Sequence, residues 1–489
     1  MQKNTKIVAT ISDQRCEVDF IRSLYEAGMN VVRINSAHVT PESATAIVEN
    51  VRKVSDRIAI LIDTKGPELR ITAMEEAWAA GIPVTVDDVV RVKGTNDGTL
   101  SSDRFLYVND DHVYRAVPVG ASILIDDGDI ELSVIGKKDE MLICHVNNDG
   151  TIKGKKSVNI PGVKINLPSL TEKDRLFIDW AIETQIDFIA HSFVRKKADV
   201  MAVQKILDEH NSPIKIISKI ENQEGVDNID DILDVTYGVM VARGDLGVEL
   251  PAEQIPIAQR CLVDKCMVSK KPVIVATQML HSMIKNPRPT RAEVSDIASA
   301  IYQRVDAIML SGETANGDYP VEAVTTMAKI AAEIEKDTQP LTDMNMVRIN
   351  NEITAQLSRS AVRATTNLPV KAILIDSMSG RTGRYIAAFR CPKPVFAVCY
   401  TPIAMRILAL SYGIEAEYRE PIGYLNDFPL NLMSDLKAEK KIKDRDMVVV
   451  VGGSFGVAKG ASYMEIGTVK NLMDKMLGLN EMYNGEYGM

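Results

Sequence analysis

The chain has 489 residues, 46% hydrophobic and 25% charged, with a formal net charge of −9. That is the profile of a soluble globular protein, too long for one core and sized for about two to four domains. An acidic balance without a Lys/Arg-rich run gives no electrostatic footprint for nucleic acid or an anionic membrane. No apolar stretch reaches signal-peptide or membrane-spanning length, so a cytoplasmic protein is expected. The six cysteines are scattered, with no Cys-x-x-Cys pair and no Cys/His ligand spacing, and read as reduced core or surface residues.

Apolar runs suited to buried parallel strands occur at 5–11, 30–35, 58–63, 187–192, 214–219, 237–242, 272–277 and 306–310. Their spacing of roughly 25 to 35 residues is that of a strand-plus-helix repeat, broken by one long gap after the third run. Eight such units with one insertion predict an interrupted (β/α)₈ TIM barrel at 1–66 and 165–344. Helical periodicity with a capping or acidic residue near the start, at 19–27, 42–54, 171–183, 196–210 and 291–302, supports it.

The insertion, 67–164, has short alternating strands separated by Asn-Asp-Gly, Asp-Asp-Gly and Pro-containing turns, and is expected to be a small β-barrel-like domain. It leaves the barrel on the side where α/β enzymes place their chemistry, which suits a lid; a passive decoration fits the same pattern. From 345 to 489 the chain alternates strands and helices as a doubly wound α/β domain does. Two loops there could cradle an anion: SMSGRT, with Ser377, Ser379, Gly380, Arg381 and Thr382, and GGSFG at 452–456. Together they suggest a phosphate-bearing effector.

The chemistry gathers at the ends of the barrel runs. Between 214 and 251 two β-branched runs, IKIIS and YGVMVA, are joined by a connector whose Val226, Ile229, Ile232 and Leu233 recur at helical spacing. Lys219 and Glu221 follow the first run; Arg243, Gly244 and Asp245 follow the second. Charges just past the C-terminal ends of parallel strands sit where barrel enzymes work. Two carboxylates without His or Cys nearby suit a hard cation such as Mg²⁺ or Mn²⁺, and a lysine beside them points to phosphate or carboxylate handling. Other runs end in Arg33, Asn35 and His38, in Asp63 to Arg70, in Thr277 and Gln278, and in Glu313 and Thr314.

The segments TKIVATI, DTKGPELR, SKIENQEGVDNIDDI, MVARGDLGVELP, KPVIVATQML, NPRPTRAEVSDIA and IMLSGETANGDYP resemble pyruvate kinase, in order and over nearly the whole chain. The resemblance implies phosphoryl transfer from phosphoenolpyruvate to ADP, a mobile inserted domain and a regulatory C-terminal domain. It implies that Glu221 and Asp245 hold the divalent ion, that Lys219 and Arg33 stabilise the phosphoryl group, and that Gly244, Asp245 and Thr277 contact the substrate. Nucleotide contacts would fall on His38, Arg70 and Lys156, and K⁺ on Asn35, Asp63 and the Thr64 carbonyl. A homotetramer is usual in that family. Two positions depart from its pattern: Ala37 stands where a serine is expected among the K⁺ ligands, and His281 where a glutamate is usual. A metal-dependent lyase on the same barrel and a non-catalytic phosphometabolite sensor are the competing readings.

Overall fold

The computed structural model describes residues 3–421, 428–453 and 460–486, with side chains up to 478. Eight parallel strands close a barrel: β1 (Lys6–Thr10), β2 (Val31–Asn35), β3 (Ala59–Asp63), β4 (Phe188–His191), β5 (Lys215–Ile220), β6 (Gly238–Ala242), β7 (Val273–Ala276) and β8 (Ala307–Leu310). Each falls within one of the eight apolar runs, except that β5 continues one residue further, to Ile220. Nearly every strand residue is buried, because helices cover one face and the barrel interior the other, so the sequence shows unbroken apolar runs and no alternation. The seam closes where Lys6 pairs with Ala307.

Three of the covering helices begin with reciprocal caps, Thr40 with Ser43, Thr171 with Asp174 and Thr290 with Glu293. Asp174 also accepts from the Gly66 amide at 3.1 Å, tying a helix start to the exit of β3. Gly66 itself has φ +72°, and a Cβ there would lie 2.8 Å from Ser192 and 2.7 Å from Phe193, so only glycine fits. The connector between β5 and β6 is two helices, Gln223–Asp227 and Ile229–Val235, hinged at Asn228. The break has a local cause: the Asn228 amide donates to the Arg195 carbonyl at 2.9 Å, fixing the turn against the neighbouring loop.

The insertion forms a six-stranded sheet beside a two-stranded one, with its own apolar core. The Asp-Asp-Gly turn closes the hairpin Ser122–Ile125 to Ile130–Lys138, with positive φ at Asp126, Asp127 and Gly128.

The C-terminal domain is a five-stranded sheet, β9 (Val370–Ser377), β10 (Val395–Cys399), β11 (Ile414–Tyr418), β12 (Met447–Gly452) and β13 (Tyr463–Thr468), in the order β11-β10-β9-β12-β13. All pair in parallel except β13. Helices cover both faces, and the chain reverses direction beside β9, as in doubly wound sheets. The polar segment after Thr468 is a helix, Val469–Glu486. Most of GGSFG lies outside the described residues.

The C-terminal domain also forms the barrel floor. Ile407 and Leu410 pack into the apolar cluster that holds Val8, Leu61 and Met240. Two buried ion pairs lock the same seam: Arg406 to Asp187, and Arg390 to Asp306. No helix among the described residues is long and apolar enough to cross a membrane.

Candidate active site

Pairing of β2 with β3 sets Asn35 opposite Asp63, so the ends of those two strands reach the barrel mouth together. Arg33 lies two residues before the end of β2 on the Asn35 side of the strand. Its guanidinium grips Asp63 through Nε and Nη2, both at 2.7 Å from Oδ2, and reaches Thr10 Oγ1 at 3.1 Å. Lys219, near the end of β5, completes the cluster: its ammonium lies 3.0 Å from Asp63 Oδ1, 2.9 Å from Glu221 Oε1 and 2.7 Å from Ser192 Oγ.

Charge in this cluster is unevenly shared. Burial favours the neutral form of Asp63, but Lys219 and Arg33 overcome it and hold the carboxyl below its ordinary range. Burial works equally against the Lys219 ammonium, yet Asp63, Glu221 and Asp245 outweigh it and raise its affinity for the proton. Glu221 is the member left short. Burial pushes its carboxyl up; Asp245 acts in the same sense, and Lys219, already claimed by Asp63, only partly opposes. Glu221 Oε2 accepts from the Phe193 amide at 2.6 Å, whereas buried Oε1 meets only the Lys219 ammonium, at 2.9 Å.

Across the mouth, Asp245 opens the short helix Arg243–Glu249 directly after β6, and is half-buried. The Gly244 amide donates to Thr277 Oγ1 at 2.9 Å. Thr277 and Gln278 have φ of +69° and +55°. For a β-branched residue the left-handed region is strained, and the surroundings must enforce it. Arg243 does so, donating to the Thr277 carbonyl at 2.6 Å while ion-paired to Asp296 at 2.7 Å.

The residues singled out from sequence therefore fall into groups. Arg33, Asp63, Lys219 and Glu221 touch directly, as do Gly244 and Thr277. Thr64 follows Asp63, its carbonyl accepting from Ser192 Oγ at 2.7 Å, and Asn35 Oδ1 accepts from the Ala37 amide at 3.1 Å. Arg70 and Lys156 lie on two segments that meet where the insertion joins the barrel, Arg70 bridging to Ser157. Arg70 pairs with Glu68 and Lys156 with Asp126. His38 is exposed at the end of the loop after β2. The SMSGRT residues lie in the C-terminal domain, away from this mouth. His281 begins a short helical turn that runs to Ile284, beyond β7.

Ser192 and Phe193 escaped sequence reasoning. Ser192 Oγ joins Lys219 to the Thr64 carbonyl, and Phe193, at φ +54°, aims its amide at Glu221. The hydroxyl that ends the fourth apolar run, followed at once by an aromatic residue, was the available signal. A cleft of about 310 Å³ between barrel and insertion, lined by Glu221, Asn222, Phe193, Arg195 and Glu68, leads away from the cluster. Among the described residues, the one group of three close metal-ligating side chains, Asp110, Asp111 and His112, is a surface ion-pair cluster on the insertion.

The donor set fits a hard divalent ion. Glu221 offers a buried oxygen that meets only Lys219, Asp245 a second carboxylate, and among the described residues no His or Cys forms a metal-ligating group with them. An eight-stranded barrel with anionic oxygens and fixed cations at its strand ends is the framework of a phosphoryl-transferring enzyme.

Comparison with known proteins agrees. Residues 2–324 match the family profile described as pyruvate kinase, barrel domain, and residues 355–467 that described as pyruvate kinase, alpha/beta domain. A pyruvate kinase of Borreliella burgdorferi is 45% identical over 476 residues, covering 96% of this chain and 98% of the relative. One of Bacillus licheniformis is 42% identical, covering 98% of this chain and 82% of the relative. A crystal structure of a pyruvate kinase from Cryptosporidium parvum superposes with a TM-score of 0.89 at 34% identity, covering 96% of both chains. The chain belongs to the pyruvate kinase family and is a phosphotransferase.

Proposed function

We propose that this site transfers the phosphoryl group of phosphoenolpyruvate to ADP, giving pyruvate and ATP in the last step of glycolysis. The observation that carries the reading is the Arg33–Asp63–Lys219–Glu221 cluster. It sets Lys219 between Asp63, which Arg33 also grips, and a buried Glu221 oxygen that meets no group but Lys219.

Glu221 and Asp245 would hold Mg²⁺ or Mn²⁺, which supplies Lewis-acid charge against the substrate's carboxylate and phosphate. Lys219 remains an ammonium, since its neighbours raise its proton affinity, and so acts as a fixed charge on the phosphoryl group in transit and not as an acid. Arg33, steadied by Asp63, shares that role. The Gly244 backbone and Thr277 orient the carboxylate end of the substrate. The bond from enol oxygen to phosphorus breaks as that from the ADP β-phosphate oxygen to phosphorus forms, and the enolate left behind takes a proton at its methylene carbon. Arg70 and Lys156 on the inserted domain, with His38 on the barrel, would bind the nucleotide, so that lid closure delivers ADP and excludes competing water.

Asn35, Asp63 and the Thr64 carbonyl form an oxygen-only set suited to K⁺. Ser377, Ser379, Gly380, Arg381 and Thr382 follow β9 where the doubly wound sheet reverses, the position at which such sheets take ligands, and would bind a phosphorylated effector. The family resemblance supports a cytoplasmic homotetramer.

The test is pyruvate formation from phosphoenolpyruvate and ADP with Mg²⁺, first in Na⁺ and then in K⁺ buffer. Turnover that rises with K⁺ is expected. Equal turnover in both would remove the K⁺ site, and folded protein inactive in both would remove the reaction.

A further inference from the structure

The seam between the barrel floor and the C-terminal domain holds the buried pairs of Arg406 with Asp187 and Arg390 with Asp306, but in one place cations gather without matching acids. Lys270, Lys271, Arg348, Arg381 and Arg384 face a cavity of about 240 Å³, against the single carboxylate of Asp234. That carboxylate is already taken by Arg348 at 2.8 Å. The other cations are positioned but not neutralised. Lys270 donates to the carbonyls of Val347 and Arg348, each at 2.7 Å, and Lys271 to that of Thr236 at 2.5 Å. Arg384 lies over the Tyr237 ring, 5.0 Å from its centre. Arg381 meets no acid or acceptor among the described residues.

The cavity draws on both domains. Lys270 and Lys271 form the link into β7, and Tyr237 precedes β6. Arg381, Arg384 and Tyr385 share one face of the C-terminal-domain helix Arg381–Ala388, at spacings of three and four. Burial, with the neighbouring cations behind it, brings both Lys270 and Lys271 down to about 8. Like charges gathered at a half-buried seam repel unless an anion joins them.

We propose that this interdomain cavity is an anion site that takes the phosphate group of a small metabolite, apart from the active site and sharing with the SMSGRT loop only Arg381. Its volume lies below the range of about 300–1,000 Å³ usual for larger ligands, which restricts the occupant to a short skeleton. An anion there bridges Lys270 and Lys271 on the barrel to Arg381 and Arg384 on the C-terminal domain. It also sits at the lower ends of β6 and β7, five and four residues long, whose upper ends carry Asp245 and Thr277. Occupancy therefore stiffens the two strands that position those groups.

The experiment is the thermal midpoint of the full chain in inorganic phosphate against chloride at equal ionic strength, for the parent, Arg384→Gln, Lys270→Gln and Ser379→Ala. The parent and Ser379→Ala are expected to show a phosphate-dependent rise, and each cavity variant to lose most of it. A larger rise with glycerol 3-phosphate than with inorganic phosphate would assign the ester, and equal rises the free ion; both support the site. A rise retained in both cavity variants, or lost only in Ser379→Ala, would overturn it, as would no rise in the parent. Because the readout is stability and not turnover, failure here is distinguishable from failure of the proposed reaction.

Discussion

The two ends of the barrel use the same residue types to opposite purposes. At the lower end Asp187 accepts from Arg406 at 2.5 Å, Arg52 at 3.2 Å and the Ile60 amide at 2.8 Å. Asp306 accepts from two Arg390 nitrogens and from the Val273 and Tyr412 amides, all within 3.2 Å. Each carboxylate is buried and saturated, and joins domains. At the upper end Asp63 takes both Arg33 and Lys219, and Glu221 and Asp245 are left to share Lys219 alone. A buried charge with every partner fixed has nothing left to offer a ligand, whereas one with a partner missing creates a place for a cation or a reacting group.

The strongest way to break this comparison is to remove a charge from each end. Lys219→Met at the upper end is expected to lower turnover by about 10³-fold or more, since the phosphoryl group loses its fixed cation. Its thermal midpoint should change far less than that of the lower-end variant, because Asp63 keeps Arg33. Arg390→Met at the lower end should do the reverse. It strands a buried Asp306 and costs about 3–5 kcal/mol of stability, read by urea unfolding, with turnover per folded molecule unchanged. Turnover falling equally in both would erase the distinction between the two ends.

A pH titration sharpens it. His191, at the end of β4, is fully buried with neither ring nitrogen hydrogen-bonded, and burial lowers it from 6.5 to about 4. The unfolded chain takes its proton near pH 6.5 while the fold resists until about 4, so stability is intact above 6.5 and is lost as pH falls through that window. The loss should reach about 3 kcal/mol, and His191→Gln should flatten it. Because the raised Glu221 carboxyl acts in the opposite sense over this range, the comparison is with the variant: a His191→Gln profile that parallels the parent from pH 7 to 4.5 would refute the assignment.

How much of this was legible in the sequence follows from where the information resides. The barrel strands are buried on both faces, so each shows as an apolar run, and charges after such runs mark the catalytic end without further knowledge. The same logic misses β13, a half-buried edge strand in which Tyr463, Met464, Glu465, Ile466, Gly467 and Thr468 give no clean period. It misses the split at Asn228, which depends on the Arg195 carbonyl of another loop. The left-handed backbone of Thr277 is invisible because a β-branched residue argues against it; only Arg243, distant in sequence, enforces it. The pairing of Arg390 with Asp306, and the unbalanced cations around Lys270, join residues up to about a hundred positions apart and appear only once the domains are docked.

The smallest effect concerns Ala37, beside the proposed K⁺ site at the upper end. Ala37 follows Asn35 by two residues, and its amide donates to Asn35 Oδ1 at 3.1 Å. A serine hydroxyl there would add one oxygen to the set of Asn35, Asp63 and the Thr64 carbonyl. Ala37 is half-buried in a turn, so the added atom needs no core repacking. Ala37→Ser should lower the K⁺ concentration for half-maximal turnover several-fold, about 1 kcal/mol, the scale of one hydrogen-bonding group exchanged with water. Half-saturation for phosphoenolpyruvate at saturating K⁺ should stay the same. An unchanged K⁺ requirement would mean that the oxygens already present complete the site, and that the upper end, like the lower, is saturated at this position.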